Sequence, residues 1–406
     1  MDTDTSVNRR SFMKTAAVAG AISVFPAATV RSYAENSKLA VGLIGCGGRG
    51  KWIGRLFQEF SDSKVVALHD YFNDRAGRAA KELDVPKERC FTGLDSYREM
   101  VQLAEVDAVA VETPPCFHPA QAAAAIDAGK HVYLAKPVAV DVAGCLSIIE
   151  SGRKAGDKLS FLVDFQTRNN EFYREAVKKV HEGAIGAPVL GQCYYHAGRL
   201  GKQAEPGTET ARLRNWVFDK ALSGDIIVEQ NIHVIDVANW LLNAHPLRAT
   251  GTGGRKARVD VGDCWDHFVV AFEYPDGVLV DFSSAQFING YTDDLCMRLY
   301  GTEGTVDTHY GGPVSIGGSK ENWPGGKTNT IYQDGAVNNI RDFHAGIMAG
   351  KPVNSAADGA QSTMSSILGR MAAYSGKPVT WEEMLADTTP MDLRLNLPAD
   401  GPDSKA

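Results

Sequence analysis

A glycine-rich turn between a short apolar strand and a predicted helix constrains the fold of this chain more than any other feature. The strand is predicted at Leu39–Ile44, and Gly45, Gly47 and Gly50 follow it in the spacing G-x-G-x-x-G. Glycine at these positions allows a tight turn, close approach of the backbone to a pyrophosphate, and close packing of helix on strand. The helix N-terminus then faces the phosphates. The pattern predicts a dinucleotide-binding β-α-β unit.

An acidic residue at the end of the second predicted strand indicates which dinucleotide is bound. Asp70 follows the strand Lys64–His69 and comes 20 residues after Gly50. A carboxylate in this place accepts hydrogen bonds from the adenosine ribose hydroxyls and repels a 2′-phosphate. NAD is therefore favoured over NADP, and the nearby Arg75 leaves a dual-cofactor site as the alternative.

The rhythm of the chain changes near residue 160. Before it, apolar strands such as Ala108–Glu112 and His131–Leu134 alternate with helices, which is typical of a parallel sheet covered on both faces. After it, strand-like segments such as Val189–His196 and Phe268–Tyr274 are joined by short turns. The fold class is therefore α/β: an N-terminal Rossmann sheet followed by an α+β domain with a large, open, mostly antiparallel sheet.

Four segments are predicted along the sequence. Residues 1–34 are a signal peptide, 35–160 the nucleotide-binding domain, 161–390 a substrate-binding and oligomerisation domain, and 391–406 a polar tail. Within the second domain, the glycine-rich stretch Gly311–Gly326 is predicted to be a surface loop.

The first segment has the pattern of a twin-arginine export signal. Arg9 and Arg10 precede the weakly apolar run Ala16–Ala28, and Ser32-Tyr33-Ala34 provides small residues for a signal peptidase. The apolar run is shorter than the roughly 20 residues that a spanning helix needs. We therefore expect export by the twin-arginine machinery to the periplasm, with no membrane anchor after cleavage; a retained anchor is the alternative. Because this route carries folded proteins, the cofactor can be acquired in the cytoplasm.

Charge and cysteine content exclude several classes of partner. The formal net charge of −7 gives no basic surface for nucleic acid or anionic membrane. The 7 cysteines show no C-x-x-C spacing, which argues against a zinc ribbon or a disulfide framework. No metal site is predicted.

Three polar residues lie in an otherwise apolar segment. Glu229, His233 and Asp236 are spaced i, i+4 and i+7, so on a helix they share one face. Burying such groups costs several kcal/mol unless each is paired, and the stripe therefore indicates a functional role. The alternative is a structural histidine between two acids at the helix surface. Metal ligation is not favoured, because no third His or Cys lies at ligand spacing.

The chain resembles the Gfo/Idh/MocA (glucose–fructose oxidoreductase / inositol dehydrogenase) family over nearly all of the sequence that follows the predicted signal peptide. The motifs that carry the resemblance are the glycine fingerprint, Thr113-Pro114-Pro115 to His118, Lys136-Pro137, Phe165-Gln166-Thr167-Arg168, the stretch from Gly224 to Trp240, Gly301 to Thr305, and Leu368 to Trp381. One departure is that the family's Glu-Lys-Pro is Ala135-Lys136-Pro137 here, so a carboxylate near the nicotinamide end is missing.

The resemblance implies roles for individual residues. Lys136 is implied to hydrogen-bond the reacting hydroxyl, His233 to take its proton as general base, and Glu229 to orient the imidazole. The resemblance also implies which residues contact the cofactor. Besides the three glycines and Asp70, these are Thr113, Pro114, His118, Lys136 and Arg168.

Side chains suited to a sugar are also predicted in the second domain. His196, Arg199 and Trp216 combine an aromatic face with planar polar groups, and with His233 they form the predicted substrate contacts. Core packing and solvated charge are the alternative for each of the three.

The function expected is that of an exported NAD-dependent oxidoreductase with tightly held cofactor, acting on a secondary hydroxyl of a sugar, glycoside or cyclitol. We also expect a homo-oligomer, either a dimer or a tetramer. One alternative is an NAD-dependent glycoside hydrolase or lyase that works by transient 3-oxidation without net redox change. A second is a non-catalytic sugar-binding module.

Overall fold

The computed structural model describes residues 38–290 and 292–402. The predicted export signal and its cleavage site lie outside these residues. Among the helices in the described part, none combines the length and apolar character needed to cross a membrane.

The first half forms a six-stranded parallel sheet in the order β3-β2-β1-β4-β5-β6. Its strands are β1 (Leu39–Ile44), β2 (Ser63–Asp70), β3 (Cys90–Thr92), β4 (Ala108–Val111), β5 (His131–Ala135) and β6 (Phe161–Asp164). The central strands are almost wholly buried because helices cover both faces of the sheet. This is the predicted Rossmann arrangement. The parallel sheet extends past residue 160, where the domain boundary is predicted, because β6 pairs with β5.

The helices of this half follow the strands in turn. They are α1 (Gly48–Phe60), α2 (Asn73–Leu83), α3 (Tyr97–Val101), α4 (His118–Asp127) and α5 (Val142–Ala155). The predicted β-α-β rhythm is confirmed, with most boundaries shifted by one to three residues.

The second half is built on a nine-stranded sheet in the order β14-β13-β12-β11-β7-β10-β9-β8-β15. Its strands are β7 (Pro188–Ala197), β8 (Arg248–Gly254), β9 (His267–Glu273), β10 (Leu279–Gln286), β11 (Asp294–Gly301), β12 (Gly304–His309), β13 (Pro313–Gly318), β14 (Trp323–Lys327) and β15 (Val379–Thr380). All its pairings are antiparallel except that of β7 with β10. The prediction of a mostly antiparallel second sheet is confirmed.

The interpretation of Gly311–Gly326 as a loop is wrong. Strands β13 and β14 lie in this stretch, and β13 pairs with β12 on one side and β14 on the other. Val314 and Ile316 are buried in the core. The prediction gave weight to the glycines, but two alternate apolar residues are enough to anchor a short strand next to the edge of a sheet.

The helices of the second half are α6 (Glu171–His181), α7 (Glu209–Arg214), α8 (Lys220–Ser223), α9 (Ile226–Glu229), α10 (Ile232–Leu242), α11 (Ile331–Met348), α12 (Ala356–Ser375) and α13 (Trp381–Ala386). Helices α6, α10, α12 and α13 pack on this sheet, whereas α11 packs on α1 and β6 of the first half. Helix α12 contacts both α5 of the first half and β8 of the second, and thereby joins the two parts.

The described part of the C-terminal tail is packed rather than purely polar. Leu393, Leu395 and Leu397 contact a cluster that includes Phe72 and Leu213. The guanidinium of Arg212 donates to the carbonyl of Leu393 at 2.7 Å. The polar interpretation of the tail overlooked the alternation of its leucines, which places them on one side of an extended chain.

Candidate active site

A cavity of about 430 Å³ lies where the glycine turn meets the second half of the chain. Asp70, Phe72, Arg75 and Trp216 are among its lining residues, as are the glycine turn, Thr113, Pro114, Glu112 and Glu229. It is therefore bounded by the carboxyl ends of the parallel strands, where ligands bind in open α/β sheets.

The glycine turn has the geometry that a dinucleotide needs. Gly45 has φ of +93°, and a Cβ there would lie 2.7 Å from the carbonyl of Glu112. A Cβ on Gly50 would lie 1.8 Å from the Gly45 oxygen. By contrast, a Cβ on Gly47 would meet no atom within 4 Å, because Gly47 lines the cavity. No side chain caps the N-terminus of α1, so its N–H groups are free for phosphate oxygens. A pyrophosphate fits these residues.

Asp70 faces the cavity and also shapes the turn. Its carboxylate accepts the backbone N–H of Cys46 and that of Phe72, each at 2.8 Å. Burial raises the pKa of Asp70, while these two hydrogen bonds oppose the rise. The structure therefore adds a role in positioning the turn to the predicted role in binding ribose.

Lys136 is bonded to Glu229. The lysine follows β5, and its Nζ donates to the backbone oxygen of Glu229 at 2.6 Å and to its Oε1 at 3.2 Å. Each of the two side chains is 12% exposed. His118 secures this part of the site, because its ring nitrogens lie 2.8 Å from the carbonyls of Thr113 and Pro137. The predicted cofactor contact His118 thus links the two loops that carry Thr113 and Lys136.

The predicted continuous stripe of Glu229, His233 and Asp236 does not exist. The helix is interrupted at Gln230 and Asn231, between α9 and α10, and the three side chains have different surroundings. Glu229 pairs with Lys136 and makes no recorded hydrogen bond to the imidazole that it was predicted to orient. Spacing alone could not reveal this, because a break in a helix changes the direction in which all later side chains point.

His233 is a buried histidine beside aromatic rings. Its ring centroid lies 5.5 Å from that of Tyr310 and 6.4 Å from that of Phe165, and Nδ1 has no hydrogen-bond partner among the described residues. Burial, together with the charges of Lys136 and Arg49, lowers the pKa of His233 well below its ordinary value. The imidazole is therefore neutral at neutral pH, with one unprotonated ring nitrogen.

Asp236, the third residue of the predicted stripe, is paired with Arg168. The guanidinium donates two hydrogen bonds to the carboxylate, at 2.9 Å and 2.8 Å, and Ser362 donates a third at 2.7 Å. Arg168, like Lys136, His118 and His233, is not among the residues that line the cavity. Its guanidinium is bonded to a buried carboxylate.

Sequence reasoning missed a buried charge cluster formed by Arg49, Glu112 and Asp164. Arg49 lies in the first turn of α1 and hydrogen-bonds to Asp164, and its Nε lies 3.2 Å from a carboxyl oxygen of Glu112. Both acidic side chains are wholly buried. A signal was present in the sequence, since Glu112 is a charged residue that directly follows a fully apolar strand and precedes Thr113-Pro114.

The predicted sugar-binding residues are not brought together. Trp216 lines the same cavity as Asp70. His196 contacts the Ser283 hydroxyl at 3.1 Å, and Arg199 pairs with Asp260.

Tyr195 is the neighbour of His196 on β7. Alternation along the strand turns Tyr195 to the opposite face from His196, and the charge of Glu229 acts on Tyr195. Tyr195 is therefore the residue of this strand that is nearer to the site.

A cluster of possible metal ligands lies elsewhere, on β11 and β12. Single ligand atoms of Cys296, Asp307 and His309 lie within 4.8 Å of one another. Arg298 holds Asp307 with two contacts of 3.1 Å, and Asp294 accepts from His309 at 2.9 Å. The hydrogen bond to Asp307 is the largest cause that raises the pKa of His309 to about 11, followed by Cys296 and then Asp294. The negative charges of Asp294 and Asp307 are therefore balanced by Arg298 and His309 within the protein.

Comparisons with known proteins agree with this architecture. A family model described as an oxidoreductase family with an NAD-binding Rossmann fold matches residues 39–163, and a GFO/IDH/MocA C-terminal domain model matches residues 173–307. Inositol 2-dehydrogenase of Burkholderia cenocepacia is 30% identical over 268 residues, which are 66% of this chain and 72% of that protein.

Solved structures share the fold. Levoglucosan dehydrogenase in complex with NADH has a TM-score of 0.70 at 19% identity and covers 85% of this chain and 99% of its own. Aldose-aldose oxidoreductase from Caulobacter crescentus, complexed with glycerol, has a TM-score of 0.70 at 20% identity, with coverage of 85% and 100%.

Proposed function

The chain belongs to the GFO/IDH/MocA oxidoreductase family, and we propose that it is an exported, NAD-dependent dehydrogenase of a secondary hydroxyl on a sugar, glycoside or cyclitol. The observation that carries the proposal is the Lys136–Glu229 pair: Glu229 lines the same cavity as Asp70, and Lys136 is bonded to it. If Asp70 binds the adenosine ribose, the part of the cavity lined by Glu229 is left for the reactive ring and the substrate. The names of the inositol and levoglucosan enzymes support a polyhydroxylated ring as the substrate class.

The residues suggest how the hydroxyl is activated. The Lys136 ammonium donates to the substrate oxygen and stabilises negative charge that develops on it. His233 is neutral and accepts the hydroxyl proton. Glu229 holds the lysine in place rather than orienting the histidine. The bound NAD supplies the hydride acceptor.

Export and tight cofactor binding belong together in this proposal. The Arg9-Arg10 motif supports transport of the folded protein, so NAD bound in the cytoplasm can travel with it. Outside the cytoplasm no nucleotide pool replaces a lost cofactor.

The export proposal is tested by changing both arginines to lysine. This variant is expected to remain uncleaved in the cytoplasm, and its undiminished appearance in the periplasm contradicts the proposal.

A homo-oligomer formed through the nine-stranded sheet is part of the same proposal. Helices cover one face of this sheet, and on the other face Leu190, Val269 and Leu279 have exposed fractions of 41%, 58% and 47%. Apolar side chains on an open sheet face favour association with a second copy. Val269→Lys is expected to shift the mass measured by light scattering towards the monomer, and an unchanged mass contradicts this interface.

The test of function begins with mass spectrometry of the undialysed protein for bound nucleotide. A panel of sugars, glycosides and cyclitols is then followed at the absorbance of reduced nicotinamide and, in parallel, for released aglycone. Reduction of the cofactor by a member of the panel supports the proposal. Release of aglycone without net reduction supports the hydrolase or lyase instead, and bound sugar without either reaction supports a binding module.

A further inference from the structure

The carboxyl group of Glu112 is fully buried, and Arg49 is its ion-pair partner with Nε 3.2 Å from one oxygen, but neither oxygen accepts a well-aligned hydrogen bond from the described residues. It lines the cavity at the carboxyl end of the parallel sheet. The register pairs Val111 with Leu134, which places Glu112 beside Ala135 on the next strand, one residue before Lys136. The acid therefore lies at the same level of the sheet as the lysine of the proposed active site.

A count of the charges around Glu112 leaves one carboxyl group in excess, because Glu112 and Asp164 share the single guanidinium of Arg49. Arg49 is hydrogen-bonded to Asp164, whose other oxygen accepts from Asn339 at 2.7 Å, and Lys136 is bonded to Glu229. His233 carries no charge at neutral pH, because burial lowers its pKa. Two cations thus face three carboxyl groups.

The surroundings of Glu112 favour its protonated form in the absence of nucleotide. The charged groups that act on it are Arg49 from α1, Asp164 from β6 and Lys136 after β5, and Tyr133 of β5 is also coupled to it. Burial is the largest influence and raises the pKa of Glu112 to about 8, although Arg49 and Lys136 oppose the rise. A carboxyl group without a full partner in such a place takes up a proton.

Oxidised nicotinamide is a cation and reduced nicotinamide is neutral. A cation at this end of the cavity supplies the charge that Glu112 lacks. Building on the proposed function, we propose that Glu112 is the counter-charge of the oxidised ring: it gives up its proton when NAD⁺ binds and regains one when the ring is reduced.

The proposal balances charge and protons within the site. During oxidation of the hydroxyl, the substrate C–H bond breaks and its electron pair and hydrogen pass to the ring as hydride. His233 accepts the O–H proton, and the Glu112 carboxylate finally takes up one proton as His233 returns to its neutral form. A cation and an anion become two neutral groups, and no proton is released to solvent. The charge of Lys136 acts on both His233 and Glu112, which couples the three groups.

The test counts protons by titration calorimetry in two buffers of different ionisation enthalpy. Nucleotide-free wild-type protein, Glu112→Gln and the control Glu59→Gln are each titrated with NAD⁺ and with NADH. Glu59 lies on α1, and its side chain is 53% exposed. At pH 7.5, a pKa of about 8 predicts that wild type releases about three quarters of a proton on binding NAD⁺ and almost none on binding NADH. Glu112→Gln is expected to release almost none with either nucleotide, and Glu59→Gln to match wild type.

A second measurement needs no variant. Between pH 7.5 and 6.5 the Kd of wild type for NAD⁺ is expected to rise about eightfold, because protonated Glu112 must ionise, while the Kd for NADH stays constant. Equal proton release by wild type and Glu112→Gln, or by NAD⁺ and NADH, overturns the role of Glu112. The expected proton count without turnover of any sugar contradicts the proposed function instead.

Discussion

Replacing Arg168 with methionine tests whether this residue serves the fold, as its contacts indicate, or the cofactor, as the family resemblance implies. Methionine keeps much of the apolar stem and removes the guanidinium. Asp236, whose side chain is 0% exposed in the wild type, then loses two of its three hydrogen bonds and the one ion-pair partner that it has among the described residues. Breaking a buried ion pair in this way costs about 3–5 kcal/mol. Because the Arg168 side chain is 26% exposed and partly solvated, we expect the lower end, about 3 kcal/mol.

The assay is urea unfolding of nucleotide-free protein, with calorimetric measurement of the Kd for NAD. Arg168→Met is expected to lower the unfolding free energy by about 3 kcal/mol. A matched control, Arg89→Met, breaks an exposed pair with Glu105 and is expected to cost less than about 1 kcal/mol. Adding Asp236→Asn to Arg168→Met removes the uncompensated charge and is expected to restore part of the loss. Wild-type stability of Arg168→Met with NAD binding weakened tenfold or more refutes this reasoning.

The other predictions concern the site and the response to acid. Lys136→Met and His233→Asn are each expected to lose about 10²–10⁴-fold in turnover while still binding NAD; near-normal turnover of the histidine variant places the base elsewhere. Asp70→Ala is expected to weaken NAD binding by about 1–3 kcal/mol, with a smaller loss for NADP, and tighter wild-type binding of NADP contradicts this. Burial lowers the pKa of His69 and that of His118 from 6.5 to about 4. The unfolded chain therefore binds more protons between these values, and each histidine is expected to remove up to roughly 3 kcal/mol of stability as the pH falls from 6.5 to 4. Urea unfolding across this range that shows constant stability rules this out.

Much of the fold could be predicted from local patterns in the sequence. Continuous apolar strands between amphipathic helices predict a parallel sheet, because both faces of such strands must be covered. The glycine turn was readable for a similar reason: Gly45 and Gly50 occupy places where any Cβ collides with backbone. Gly311–Gly326 was misjudged, since the pairing of an edge strand depends on its neighbour and not on its own composition.

The sequence by itself determined the dinucleotide-binding unit, the change to a second sheet and the candidacy of Lys136 and His233, since each of these follows from nearby residues. Only the tertiary structure decided which charges meet. It paired Glu229 with Lys136, Asp236 with Arg168 and Arg49 with Asp164, and it left Glu112 without a full partner. The physical reason is that partners in these pairs lie 68 to 115 residues apart. Strand order and a break in one helix bring these partners together. Neither can be predicted from the spacing of residues along the chain.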